Sequence, residues 1–449
     1  MQKNDNTPIA RLWIVFFLYT AAVSLVIQLV ILPYITPAWH AGDGLLTASY
    51  DARLMHRLAL EMAQKIQDAG WSAWELRPYQ QAPSGIASIF YSIIAPKPWT
   101  LIPLNAAVHA TSAIMLLRIA QIFIPHWRSA LLAALPFFLY LTPATWYAQM
   151  HRDGYSILGF YLFLYGYCIF FKNDKSIAKR ELLPILFYVA IGVFICWISR
   201  PYLTTILHKL SIFAAFIGTI VFLFKWRKNI MPSRAAFSKI LIVLSLIFVI
   251  YPFTKSKGAT EVITTDTKEF ERIQHALKGE KSSWEKSSWM PASADNIFYS
   301  LSTMRLGMAS LSGKADIDKN IQFSSASEVI AHMPRALQIV FLAPFPYHWT
   351  GEGSHAATTL MRRIVMLETI GIYLSLIFVP YALWKWRKRM EIWVIFIFCS
   401  AIMLLYGIVF VNVGSIQRIR YGYMMAIVAV GILGMVTFFD KHLTQRKEQ

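Results

Sequence analysis

Three observations predict an all-α polytopic membrane protein. Of 449 residues, 56% are hydrophobic and 15% charged, where a soluble domain carries about 45–50% and about 25%. The mean hydropathy is +0.47. The apolar residues gather into runs of about twenty, the length that crosses a bilayer as a helix. Ten such runs lie near 12–35, 101–124, 129–149, 154–171, 182–198, 203–224, 237–253, 364–384, 391–411 and 422–439.

The first run lacks a small-residue cleavage site and is too long for a signal peptide, so a retained signal-anchor helix is expected. With the N-terminus inside, the basic clusters at 172–180, 225–239, 385–389 and 441–447 all fall in the cytoplasm, as the positive-inside rule requires. The net charge of +19 is explained by these clusters and does not indicate nucleic acid. Cys168, Cys196 and Cys399 all sit in apolar runs, where thiols act as small buried hydrophobes.

Two segments are expected on the outer side. In the first, 36–100, Leu54, Leu58, Met62 and Ile66 alternate with Arg53, Arg57, Glu61 and Lys65, predicting a surface-lying amphipathic helix over Asp51–Ala69. Ile86–Ala95 is too short to span and reads as an interfacial helix. The second, 254–361, is polar and charged to about Asn320 and then apolar from Val329 to Trp349. Prolines at 334, 344 and 346 suggest a segment that dips into the interface. The chain thus divides into an N-terminal membrane module (1–253, seven spans), an outer subdomain (254–361) and a C-terminal module of three spans (362–449).

Titratable residues at the outer span ends are the functional candidates, because charge at the membrane is costly. Asp51 opens the amphipathic helix; it is either an N-cap or a general base for an acceptor hydroxyl. Asp43, between two glycines, is a second candidate base or an ordinary turn residue. His151, Arg152 and Asp153 fill one tight connection, as a solvated loop or as active-site groups. Arg152, Arg200, Arg418 and Arg420 suit phosphate oxygens, which the guanidinium fork matches, or anchor to headgroups by snorkelling. Tyr202, His348 and Glu352 border the same side and are candidates for acceptor contacts. The spans hold almost no Asp, Glu, Lys or Arg away from their ends, which disfavours a transporter or flippase of lipid-linked sugars.

Four segments together resemble the C-superfamily glycosyltransferases (GT-C), integral-membrane enzymes that use polyprenyl-phosphate sugars. The resemblance is closest to the bacterial polysaccharide-associated branch related to protein O-mannosyltransferases. The first segment is Asp51-Ala-Arg-Leu-Met-His-Arg-Leu-Ala59, similar to an acidic residue opening a helix in the first outer loop. The second is Pro83-Ser-Gly-Ile-Ala-Ser-Ile-Phe-Tyr-Ser, ahead of Asn105. The third, Pro143 to Asp153, looks like a span-end motif finishing in Arg-Asp. The fourth pairs Pro344-Phe-Pro-Tyr-His-Trp349 with Arg418-Ile-Arg420. The chain departs from the pattern in two places: Met55 replaces an aromatic, and Ala52 follows Asp51 where the family has a second acid.

The resemblance implies Asp51 as catalytic base, Asp153 as a second active-site acid, and Arg418 and Arg420 as donor-phosphate contacts. It implies a bacterial inner-membrane enzyme with cytoplasmic termini and a periplasmic site. A sugar would pass from a polyprenyl-phosphate donor to a glycan, lipid or protein acceptor by inverting displacement. A divalent metal is left open. An O-antigen-type polymerase moving lipid-linked repeat units is the alternative enzyme, and a non-catalytic envelope scaffold the alternative outside enzymes.

Overall fold

The computed structural model describes residues 7–172, 179–254, 284–310, 315–353 and 356–447. Residues 255–283 and 311–314 of the polar stretch expected over 254–320, and residues 173–178 of the first basic cluster, lie outside the described residues. Among the described residues the regular structure is helical, and nine helices are long and apolar enough to cross a membrane. The protein is an all-α polytopic membrane protein.

The chain folds as two compact units, one comprising 1–261, 378–396 and 428–449, the other 262–377 and 397–427. The residues of the three C-terminal spans divide between the units.

In the first unit α1 (Ile9–Val26) runs on as a π-helical stretch to Ile35. There follow α2 (Tyr50–Ala69), α3 (Ala82–Ile93), α4 (Ile102–Phe123), α5 (Trp127–Leu139), the single turn α6 (Ala144–Tyr147), α7 (Asp153–Lys172), α8 (Lys179–Ser199), α9 (Pro201–Arg227) and α10 (Ser233–Ile250). Side-chain contacts set their directions. The Gln121 amide reaches Thr7, so α1 and α4 are antiparallel. Tyr155 donates to Asn105 Oδ1 at 3.1 Å, so α4 and α7 start at the same end. Thr204 donates to the Phe253 carbonyl at 2.9 Å, so α10 ends where α9 begins.

Because α4 and α7 are parallel, the chain must return through the full thickness between them. Sequence predicts one span over 129–149; the structure instead has a broken pass. α5, at 13 residues, is about 20 Å long, short of the roughly 30 Å core. The remaining depth is covered by α6 and the irregular segment 148–152. Non-helical backbone at such depth is tolerated only when protein satisfies its polar groups, and three buried amides do so. Gln28 Nε2 donates to Ala148 O at 2.7 Å. Asn105 Nδ2 donates to Tyr147 O at 3.2 Å and Gln149 O at 3.1 Å. Gln149 in turn accepts from Leu46 N and donates to Gly44 O, both at 2.9 Å, which fastens the first loop onto the break.

α7 and α8 cross at glycine on glycine. A Cβ at Gly159 would stand 2.7 Å from the Gly192 carbonyl, and one at Gly192 2.6 Å from that of Gly159. Small residues let helix backbones approach in this way, and the start of α7 consequently meets the end of α8. The opposite end of this unit is basic. Lys239 Nζ is fully buried there, 2.8 Å from the Phe170 carbonyl, and Arg389 donates to Ile122 O at 3.0 Å.

α2 is amphipathic, as its spacing predicts, and buries Ala52, Met55, Leu58, Ala59, Met62, Ala63 and Ile66. Its partner is α3, whose Ser84 hydroxyl donates to Met55 O at 3.1 Å. That apolar face is thus covered by protein. α3, with 12 residues, is too short to span, as expected.

The second unit contains α11 (Ala292–Ser310), α12 (Ala326–Leu342), α13 (Pro346–Trp349) and α14 (Ala356–Ile377). To the first unit belongs α15 (Val379–Lys385), while α16 (Met390–Val409) and α17 (Val413–Lys447) contribute residues to both. The core of the second unit is Phe323, Val329, Ala336 and Ile408. Fully buried Arg305 ties its loops by donating to the carbonyls of Asp318, Ile321 and Ile408 at 2.6–3.0 Å. The expected proline-interrupted segment is in fact helical through Pro334, and the helix stops only at Ala343. Ser325 caps it, accepting from Glu328 N. Pro334 lies mid-helix, so one backbone bond is lost there without ending the helix.

Candidate functional site

The site lies in the first unit, at the end opposite the basic residues. It is assembled from the start of α2, the irregular segment 148–152, the start of α7, and the α8–α9 corner.

Asp51 is not the N-cap. α2 begins at Tyr50, the cap position belongs to Ser49, and Asp51 sits half-buried in the first turn. A carboxylate there is favoured by the helix dipole. Ser49 makes no capping hydrogen bond to α2; its hydroxyl instead pairs with His151 Nε2 at 2.8 Å.

Around Asp51 the structure gathers five other sequence candidates. Asp153 and Arg200 form an ion pair through Asp153 Oδ1, with side chains only 4% and 5% exposed. Arg200 also donates to the Tyr202 hydroxyl. His151 Nδ1 lies 3.8 Å from Asp153 Oδ2. Arg152 is half-buried, and its Nε makes no hydrogen bond. Arg152 interacts electrostatically with Asp51 and Asp153 and with the like charge of Arg200. His151-Arg152-Asp153 is therefore no solvated loop. It is a buried charged cluster, and such groups stay charged only when paired.

A second cluster sits on the next turn of α2. Asp43 occupies a left-handed turn between Gly42 and Gly44, all three with positive φ, so the turn expectation is met. Its carboxylate pairs with Lys97 and lies 3.5 Å from His56 Nε2. Burial raises the Asp43 carboxyl, but the hydrogen bond and charge of Lys97, with His56, outweigh it and hold the group below its ordinary value. Burial lowers His56, more than Asp43 raises it. His56 Nδ1 meets the Tyr91 hydroxyl at 2.7 Å, and that hydroxyl donates to Met150 Sδ at 3.1 Å. Asp43 is thus a loop anchor, exposed and already paired, and poorly disposed as a base.

The other candidates belong to the second unit. Arg418 and Arg420 were expected in an outer loop, but α17 already begins at Val413. Arg420 is 2% exposed. Its guanidinium donates to the carbonyls of Ile339, Val340 and Ala343 at the end of α12. These donors are used by backbone, so the phosphate role expected for Arg420 is set aside. Arg418 is half-buried on the same helix. His348 packs against Tyr347 with the rings tilted and centroids 4.1 Å apart, and Glu352 is exposed.

Among the described residues no three His, Cys, Asp or Glu side chains converge to hold a metal ion. Arg200 matches the Asp153 carboxylate through Oδ1. Sequence reasoning missed Ser49, Gln28, Gln149 and Lys97. The signal for the two glutamines was an amide within apolar surroundings, which demands a hydrogen-bond partner.

The fold and this site define a multi-pass helical membrane protein with a buried acid–arginine cluster at one end of its bundle. Compared with known proteins, the sequence matches no family model and no curated relative.

Proposed function

We propose that the protein is an integral-membrane glycosyltransferase of the C-superfamily type, using a polyprenyl-phosphate sugar as donor. One observation carries the reading: Asp51, in the first turn of α2, interacts electrostatically with Arg152, and Asp153, which does so too, is paired with Arg200. In this mechanism Asp51 takes the proton of an acceptor hydroxyl. The acceptor oxygen attacks the anomeric carbon, the bond from that carbon to the phosphate oxygen breaks, and the configuration inverts. Arg152 offsets the charge of the departing lipid phosphate. The Asp153–Arg200 pair holds Arg152 and His151 in place. The basic end of the first unit faces the cytoplasm of a bacterial inner membrane and the site faces the periplasm. The acceptor is a glycan, lipid or protein hydroxyl.

The test is release of polyprenyl phosphate, read by mass spectrometry. Full-length protein in nanodiscs is given a panel of polyprenyl-phosphate sugars and a bacterial envelope extract as acceptor source. Asp51→Asn should cut the rate by about 10²-fold or more, the usual contribution of a general base. Equal rates for wild type and Asp51→Asn, or no release from any donor, would sink the proposal.

A further inference from the structure

Sugar transfer assigns no part to the Ser49 hydroxyl, which meets the His151 side chain of the same cluster. Ser49 Oγ lies 2.8 Å from His151 Nε2, and His151 Nδ1 lies 3.8 Å from Asp153 Oδ2. The histidine and carboxylate side chains are 3% and 4% exposed. The negative carboxylate favours the tautomer with the proton on Nδ1, which leaves Nε2 to accept the hydroxyl proton of Ser49. The order hydroxyl, imidazole, carboxylate is that of a base-activated serine. The 3.8 Å gap is longer than a hydrogen bond, but such contacts tighten once the imidazole becomes charged.

Two further features fit this chemistry. Ser49 stands at the N-cap of the 20-residue α2, yet its side chain makes no capping bond to the helix. The first-turn N–H groups therefore receive no bond from it, and they sit at the positive end of the helix dipole. Arg152 follows His151 directly and adds a cation whose Nε has no partner. Both suit an oxygen that gains negative charge during reaction.

We propose that Ser49 is a nucleophile that takes an acyl group from a carboxylic ester presented at the membrane surface. Ser49 Oγ bonds to the carbonyl carbon while its proton passes to His151 Nε2, and the carbonyl π electrons move onto oxygen. When the carbonyl reforms, the carbon–alkoxide bond breaks and the leaving alcohol takes the proton from His151. Water, or another hydroxyl, repeats the sequence at the acyl-serine and restores the enzyme. Asp153 acts as a positioning residue, holding the imidazole while Arg200 holds Asp153.

The proposal stands apart from sugar transfer and is read without it. Full-length protein in nanodiscs is treated with a fluorophosphonate probe, and the labelling rate of each serine is followed by peptide mass spectrometry. Ser49 should react about 10²-fold faster than exposed Ser72, and p-nitrophenyl butyrate should be hydrolysed through a transient butyryl group on Ser49, trapped by acid quench. His151→Asn should slow both reactions by about 10²-fold while the melting temperature shows the variant folded. Ser49 labelling no faster than Ser72 in the wild-type protein overturns the proposal, with no variant needed. A folded His151→Asn protein that labels within about twofold of wild type overturns it equally.

Discussion

Asp153→Asn tests the physical claim on which the site rests, that a buried ion pair joins the start of α7 to the end of α8. The pair spans 47 residues of sequence, and both side chains are at most 5% exposed. Neutralising Asp153 leaves Arg200 buried with its main countercharge gone. Breaking a buried pair from one side costs about 3–5 kcal/mol, whereas replacing both partners with apolar groups is often close to neutral. At about 2–3 °C per kcal/mol for a large domain, the single variant should melt about 6–15 °C below wild type. The double variant Asp153→Asn, Arg200→Met should recover a good part of that loss. The assay is intrinsic-fluorescence melting in detergent across the four corners of the cycle, which isolates the coupling between the two residues. An Asp153→Asn protein within about 2 °C of wild type, or additive losses in the double variant, would refute the pairing argument.

Three further outcomes follow from the packing. Arg420→Leu should lower the melting temperature, because three carbonyls at the end of α12 lose their charged donor, at about 1.5–3 kcal/mol per such bond before relaxation; a variant of unchanged stability would reopen a ligand role for Arg420. Gly85→Ala should destabilise the α2–α3 pair by about 1–3 kcal/mol or more, since the new Cβ would sit 2.3 Å from Leu76 O and 2.5 Å from Glu75 O. Near-normal melting would show that this turn can shift. The Asp43–Lys97 pair should contribute fully above the ordinary Asp value of 3.8. Its folded carboxyl titrates below that value, so the stability is lost as pH falls through the folded pKa. Wild type should therefore melt above Asp43→Asn at neutral pH, and the gap should narrow only once the pH falls below 3.8. A gap that persists there would contradict the assignment.

Four contacts that build the site join residues far apart in the chain: Ser49 with His151, Asp153 with Arg200, Lys97 with Asp43, and Gln149 with Leu46. Six of the sequence candidates converge because all were sought at span ends on one side, a criterion that apolar run length can supply. The same criterion misplaced Arg420, because a charged residue near a span end reads alike whether it faces ligand or caps a neighbouring helix. The third span failed for a related reason. Residues 129–149 have the hydropathy of a helix, and hydropathy does not register that Gln28 and Asn105 stand ready to satisfy a broken backbone.

Sequence alone determined the class of fold, the amphipathic α2, the short α3 and nine of the passes, because each depends on length and periodicity within one segment at 1.5 Å per residue. The tertiary structure alone decided which charges meet. Ion pairs and hydrogen bonds act over a few ångströms of space, and the glycine crossing of α7 on α8, not any local pattern, brings Asp153 to Arg200.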